Sequence, residues 1–265
     1  MRSIADQSTK EMGGRGSVLT RQKRDHIELD RLLTRLGEVP EERQDEVLLP
    51  IYRLVFPHAF AEESVLWPVM RRVLPDGEEL TLRVEKEHQR INELVTRLEA
   101  STPGSEERRA VLDEVVPLLQ ADVRDEEDLL LPRLQERVSA AKLRRLGLAW
   151  DAVRRVAPTR AHPIVSRRPP GNVLAALPLT VLDRLRDQVD GRRFRRADSA
   201  GLARASGALA RASRAVERWP GMRSGEDRAT RIGRGGVGWG TALAFGAGLA
   251  TVVMVRRRRA AALPG

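Results

Sequence analysis

Three histidines and three carboxylates stand where the sequence pattern asks for apolar side chains. His26 falls in the run Leu19, His26, Leu29, Leu33, Leu36, and His58 and Glu62 fall in Val47, Ile51, Leu54, His58, Glu62, Val65, Val69. His88 sits between Val84 and Ile91, and Asp122 and Glu126 sit between Leu119 and Leu129. Spacings of three and four put each set on one helix face, the face that turns to a core. A carboxylate or imidazole there is costly unless it is paired or binds a metal. One histidine on such a face is commonly a hydrogen-bonded core residue. Six such groups converging in one core are different, because they cannot all satisfy one another. Bound cations neutralise the carboxylates and accept the imidazole lone pairs, and mixed nitrogen and oxygen donors suit iron, manganese or zinc. His58 and Glu62 are an i, i+4 pair, as are Asp122 and Glu126, so each pair shares a face. With His26 and His88 on two other helices, the pattern predicts two metals side by side near a bundle axis. The fourth histidine, His162, lies in a proline-rich stretch and is read as non-functional.

The elements that must position these groups are helical. Ser17 is placed to cap a helix over 18–38, which Gly37 and Pro40 end. A second helical stretch covers 41–73, with Pro50, Pro57 and Pro68 expected to kink or break it. Pro75-Asp76-Gly77 is a turn, a third helix covers 78–100, Ser101 to Gly104 is another turn, and a fourth helix covers 105–138 with a kink at Pro117. Four amphipathic helices on short loops predict an all-α, up-down four-helix bundle. A short helix over 139–156 caps one end. The expected division is a flexible N-terminus at 1–17, the bundle with its capping helix at 18–157, and a Pro-rich linker at 158–172. Arg-rich amphipathic helices and a connector follow at 173–234, then a transmembrane helix at 235–255 and a basic tail at 256–265.

Composition agrees with helices. Of 265 residues, 41% are apolar but only 3% aromatic, so the core is built of Leu, Val, Ile and Ala. Cysteine is absent, which excludes disulfides, thiolate sites and cysteine nucleophiles. The net charge of +10 is unevenly spread: the 21 arginines and 7 acids from Pro158 onward leave +14, whereas residues 1–157 carry −4. Such asymmetry suggests two regions with different partners. The first 16 residues lack the apolar core of a secretory leader. Residues 235–255 are 21 consecutive uncharged positions followed by Arg256–Arg259, the pattern of a bilayer-spanning helix. Its small residues, such as Gly236, Gly240, Ala244 and Gly248, offer faces for a homodimer. The expectation is a single-pass C-terminal membrane anchor with the bundle on the cytoplasmic side. The arginine clusters lack interleaved aromatics, which favours anionic lipid head groups over nucleic acid. Neither a phosphate-cradling glycine loop nor a Ser-His-Asp arrangement is found in the bundle.

The motifs Asp25-His26-x-x-Leu29-Asp30, His58-x-x-x-Glu62-Glu63 before Leu66-Trp67-Pro68, Glu87-His88, and Glu126-Glu127 before Leu131-Pro132 resemble the hemerythrin HHE cation-binding domain family, over about residues 18–138. The resemblance implies a four-helix bundle with a centre of two iron ions, manganese or zinc being the lesser alternatives. It makes His26, His58 and His88 terminal ligands and Glu62 and Glu126 bridging ones. This chain departs from the family at Asp122, where a histidine is usual. A third carboxylate favours ferric iron, which argues against reversible oxygen carriage and towards reaction or sensing. The alternative is that Asp122 stays off the metal, with Glu85 and Asp30 as substitute ligands. Glu63 and Glu127 are expected to back the ligands or face solvent, and Trp67, Tyr52 and Phe60 to line core or pocket. The expected function is binding, sensing or reducing a small oxidant such as dioxygen, peroxide or nitric oxide. Peroxidase-like or catalase-like turnover is left open, and the alternative is an iron-responsive regulatory module at the membrane.

Overall fold

The computed structural model describes residues 2–195 and 199–232. Among them every regular element is helical. Helix α1 runs Val18–Glu38, and Ser17 caps it by accepting a hydrogen bond from the Leu19 N–H. Helices α2 (Gln44–Ala61) and α3 (Trp67–Val73) form one rod, joined by a π turn at Glu62–Leu66. Helix α4 runs Gly77–Ala100. Helices α5 (Glu106–Asp125) and α6 (Leu131–Arg137) form a second interrupted rod, joined by a π turn at Glu126–Leu130. The four rods pack as a helical bundle, with α1 on α2 and α5, α4 on α3 and α5, and α3 on α6.

Proline explains where the rods break. Pro50 and Pro57 are accommodated inside α2, as is Pro117 inside α5. At Pro68 and Pro132, one residue into α3 and α6, the backbone instead widens. A proline ring collides with the carbonyl four residues back and offers no N–H to it. The chain absorbs this with one wide turn, in which the Trp67 N–H reaches the Glu62 carbonyl and the Leu131 N–H reaches the Glu126 carbonyl.

Two apolar clusters result. One is built on Leu19, Leu66, Trp67, Met70, Leu130, Leu131 and Trp150. The other is built on Leu33, Ile51, Tyr52, Leu94, Leu98, Val115 and Leu119. The polar groups singled out above lie between these clusters along the rods. Residues 2–17, expected to be flexible, contribute Ile4 and Met12 to the first cluster. Helix α7 (Ala140–Arg155) crosses α1 and α2, and Gly147 lets it come close. A Cβ there would lie 2.2 Å from the Gly16 carbonyl oxygen, so a larger residue would push α7 off the bundle.

Beyond α7 the chain does not run free. In the stretch expected as a linker, Arg160, His162, Ser166 and Arg167 are buried. The His162 N–H donates to Asn92 Oδ1 and its ring bridges Asp183 and Glu217, each at 2.9 Å. Arg160 pairs with Glu99 of the bundle and with Asp187 and Asp190. Asp183, Asp187 and Asp190 belong to α8 (Gly171–Arg193), which packs on α2 and on α9 (Ala200–Glu217), the helix that ends at Glu217. His162 is thus a structural residue, held by ion pairs that are invisible to local pattern.

The expected membrane helix requires correction. No helix of the described residues is long and apolar enough to cross a membrane, and 235–255 lies outside the described residues. Even α2, the most apolar of the long helices, carries Asp45, Glu46 and Arg53 within 18 residues. Among the described residues the all-α class therefore stands without a transmembrane helix, and the single-pass anchor and the membrane localisation are not retained.

Candidate metal centre

Each of the four rods delivers ligand groups to one buried layer. His26 comes from α1, His58 from the end of α2, Glu62 and Glu126 from the first position of each π turn, His88 from α4, and Asp122 from the last turn of α5. Glu62 is 0%, Glu126 1% and His88 2% exposed, so none of the three can rely on bulk water for solvation.

The donor atoms fall into two groups that share Glu126. The ligand atoms of His26, His58 and Glu126 lie within 4.8 Å of one another, and so do those of Glu62, His88 and Glu126. On one side, His26 Nε2 is 3.2 Å from Glu126 Oε2, and His58 Nε2 is 3.2 Å from Glu62 Oε1. On the other, His88 Nε2 is 3.7 Å from Glu62 Oε2, 3.9 Å from Glu126 Oε1 and 3.8 Å from Asp122 Oδ2. Both glutamates therefore turn one oxygen to each side. Glu62 Oε2, Glu126 Oε1 and Asp122 Oδ1 are buried with no hydrogen-bond partner. Two orphaned glutamate oxygens beside the His88 ring, with a third orphan on the neighbouring Asp122, leave buried carboxylate lone pairs that a cation would satisfy. The residues present fit a pair of metal ions.

A ring of carboxylates backs the histidines. His26 Nδ1 faces Glu127 Oε1 at 2.8 Å, His58 Nδ1 faces Asp25 Oδ2 at 3.3 Å, and His88 Nδ1 faces Glu63 Oε1 at 3.0 Å. A carboxylate at Nδ1 keeps the proton there and leaves the Nε2 lone pair free for a metal. Glu127 is itself the residue after Glu126, and Glu63 the residue after Glu62, so each wide turn aims two consecutive acids at one layer. Gln22, one turn before His26, donates its Nε2 to Glu62 Oε1 at 2.6 Å. Trp150 meets the His58 ring edge-on with centroids 5.3 Å apart, and Trp67 stacks on His88 at 6.5 Å.

The buried imidazoles and carboxylates of the layer shift one another's protonation. Burial pulls His26 down, but Glu126 and Glu127 override it and raise its pKa to about 9. Burial likewise opposes the charge on His88, and Asp122 and Glu63 raise it to about 10. His58 is driven well above its ordinary value, mainly by Glu62 and Asp25 acting against burial. Burial opposes the charge on Glu126, yet hydrogen bonds from His26 and His58 hold it far below the usual carboxylate range. Glu62 and Asp122 go the other way, because burial and the neighbouring carboxylates outweigh their histidines.

The substitute ligands proposed for Asp122 are not at the centre. Glu85 is buried but turned to Arg71 and Arg168. Asp30 is exposed. Tyr52 packs on Phe56 with Arg160 over its ring, and burial pushes its hydroxyl pKa up. Sequence reasoning missed Gln22 and two arginines. Gln22 carried a signal, since it stands four residues before His26 on the same stripe. Arg154, 2.8 Å from Asp25, and Arg167, 3.9 Å from Glu63, carried none, being distant in the chain.

A cavity of about 30 Å³ adjoins the layer, lined by His26, His58, His88, Asp122 and Glu126 and walled by apolar groups such as Leu29, Phe56 and Ile91. That is room for a water-sized molecule.

A helical bundle with a buried layer of shared carboxylates and carboxylate-backed histidines belongs to the class of helical proteins that could hold metal ions in their core. Comparison with known families says what it is similar to: residues 17–134 match the hemerythrin HHE cation binding domain. A curated relative, an uncharacterized hemerythrin-like protein of Schizosaccharomyces pombe, is 25% identical over 134 residues, covering 50% of this chain and 66% of the relative. No solved structure matches the chain.

Proposed function

We propose that the layer holds two iron ions and that the loaded protein binds or reduces a small oxidant, namely dioxygen, peroxide or nitric oxide. The observation that carries this reading is the pair of donor groups sharing Glu126, set against a largely apolar cavity with room for a small oxidant. His26 and His58 would help hold one ion and His88 and Asp122 the other, with Glu62 and Glu126 supplying carboxylates between them. Iron, when bound, would supply the redox electrons beside this small cavity. The chain's own groups do the rest. Glu127, Asp25 and Glu63 hold protons at Nδ1 and keep the three rings from rotating. Gln22 fixes the orientation of Glu62. Leu29, Phe56 and Ile91 exclude bulk water, which strengthens every charge interaction inside. Asp122 brings a third carboxylate to the His88 side, which favours ferric iron and supports reaction over reversible carriage.

Mixing the ferrous-loaded chain with one equivalent of peroxide tests the reading. The expected result is loss of peroxide together with new near-ultraviolet absorption. Peroxide left intact, with an unchanged spectrum, would overturn it.

A second reading is an iron-responsive regulatory module. It is favoured by the docking of His162 on Asn92, whose own side chain bonds the His88 carbonyl. Under this reading, chelating iron exposes 158–217 to protease, whereas a purely catalytic protein keeps its resistance.

A further inference from the structure

Two of the three carboxylates behind the histidines are shared with arginines from outside the matched domain. Arg154, near the end of α7, places Nη2 2.8 Å from Asp25 Oδ2, the oxygen that also faces His58 Nδ1 at 3.3 Å. Its guanidinium lies 4.5 Å above the Trp150 ring, and Trp150 meets His58 edge-on. Arg167 lies between α7 and α8, with Nη1 3.9 Å from Glu63 Oε1, the oxygen that faces His88 Nδ1 at 3.0 Å. Arg167 is 8% exposed and donates to the carbonyls of His162 and Val165, which fix its position. Among the described residues, Glu127 has no arginine partner, so the His26 corner lacks this feature.

We propose that Arg154 and Arg167 are positioning residues that set the redox balance of the centre through Asp25 and Glu63. The inference rests on the two-iron reading. A carboxylate behind an imidazole raises the ring's donor strength at Nε2. A guanidinium on the same oxygen takes up part of that carboxylate's charge, so the ring donates less. The added positive charge also lies within one side chain of the ligand, in a buried region where charges are weakly screened. Both effects stabilise ferrous over ferric iron, against the pull of Asp122. They also place control of the centre in α7 and in the segment before α8, which a shorter chain ending with the domain would not have.

The test uses the full chain loaded with iron, as wild type and as R154Q, R154K, R167Q and R133Q. Arg133 pairs with Asp76 and serves as a control. For each, iron content, helix content and reduction potential are measured. R154Q is expected to shift the ferric-to-ferrous preference about tenfold towards ferric, a fall of ~59 mV for one electron. R154K should recover most of it. R167Q should move the potential in the same direction by less, its contact being longer, and R133Q should not move it. Native helix content, two irons and a wild-type potential in both R154Q and R167Q would overturn the inference alone. Should R154Q not fold, R167Q against R133Q decides in the same way. A folded wild type that takes up no iron would overturn the two-iron reading and this inference with it.

Discussion

Glu126 is the residue on which both donor groups depend, and the atoms around it show how the layer tolerates its charges. One oxygen is held by the His26 side and the other is orphaned beside His88. The carboxylates behind the rings matter almost as much, because they decide which ring nitrogen carries the proton. Asp25→Asn keeps the shape but removes the charge behind His58. It should weaken metal binding by about 10–100-fold while leaving helix content unchanged. Metal titration followed by isothermal calorimetry measures this, and an unaltered affinity would count against the role given to Asp25. At this scale much was legible. His26, His58, Glu62, His88, Asp122 and Glu126 all stand in the same layer, since a charge in an apolar stripe is visible in one helix's own spacing. Arg154 and Arg167 were not legible, because an ion pair spanning more than 100 residues leaves no periodic mark.

The rods owe their geometry to two prolines. The wide turns begin at Glu62 and Glu126, include the acid that backs a histidine, and end just before Pro68 and Pro132. Proline was expected to break the second rod, and it does so only where a π turn can absorb the clash. Pro50 and Pro57 sit inside continuous helix. Pattern alone could not separate these cases, since the difference lies in which backbone carbonyl each ring meets. Pro132→Ala restores an N–H and removes the clash, so the turn can close to ordinary helix. That would rotate Glu126 and Glu127 relative to α5. The variant is expected to keep or gain thermal stability but to lose metal, a combination read from a melting curve and metal analysis of the same sample. Full metal content would show that the wide turn is not needed to aim the glutamates.

Part of the charge asymmetry of the chain is met within the molecule. An acidic N-terminal part and a basic C-terminal part suggested separate partners, yet Arg160, Arg167, Arg168 and Arg186 pair with Glu99, Glu63 and Glu85 of the bundle. Proline-rich composition likewise predicted a linker where the structure has a buried junction. The sequence signal was real, but it marked a docking surface rather than a spacer. His162 reports on that junction. Burial lowers its pKa, but Asp183 and Glu217 prevail and raise it to about 10. A folded-state value above the unfolded one, ~6.5, means a contribution that is complete below the unfolded value and is lost as pH rises through about 10. The gap in melting temperature between wild type and His162→Gln should therefore be widest near pH 6 and narrow in strongly alkaline buffer. A gap independent of pH would show that the ring acts by shape rather than charge.

The number of metal ions that the layer takes up decides whether its donor groups act as a pair. Equilibrium dialysis of the full chain against ferrous iron, followed by metal analysis, should give two irons per chain for the wild type. Glu126→Ala, which removes a donor from both groups, should bind fewer than one. A folded wild type that emerges without iron, or a Glu126→Ala protein that still holds two, would contradict the account.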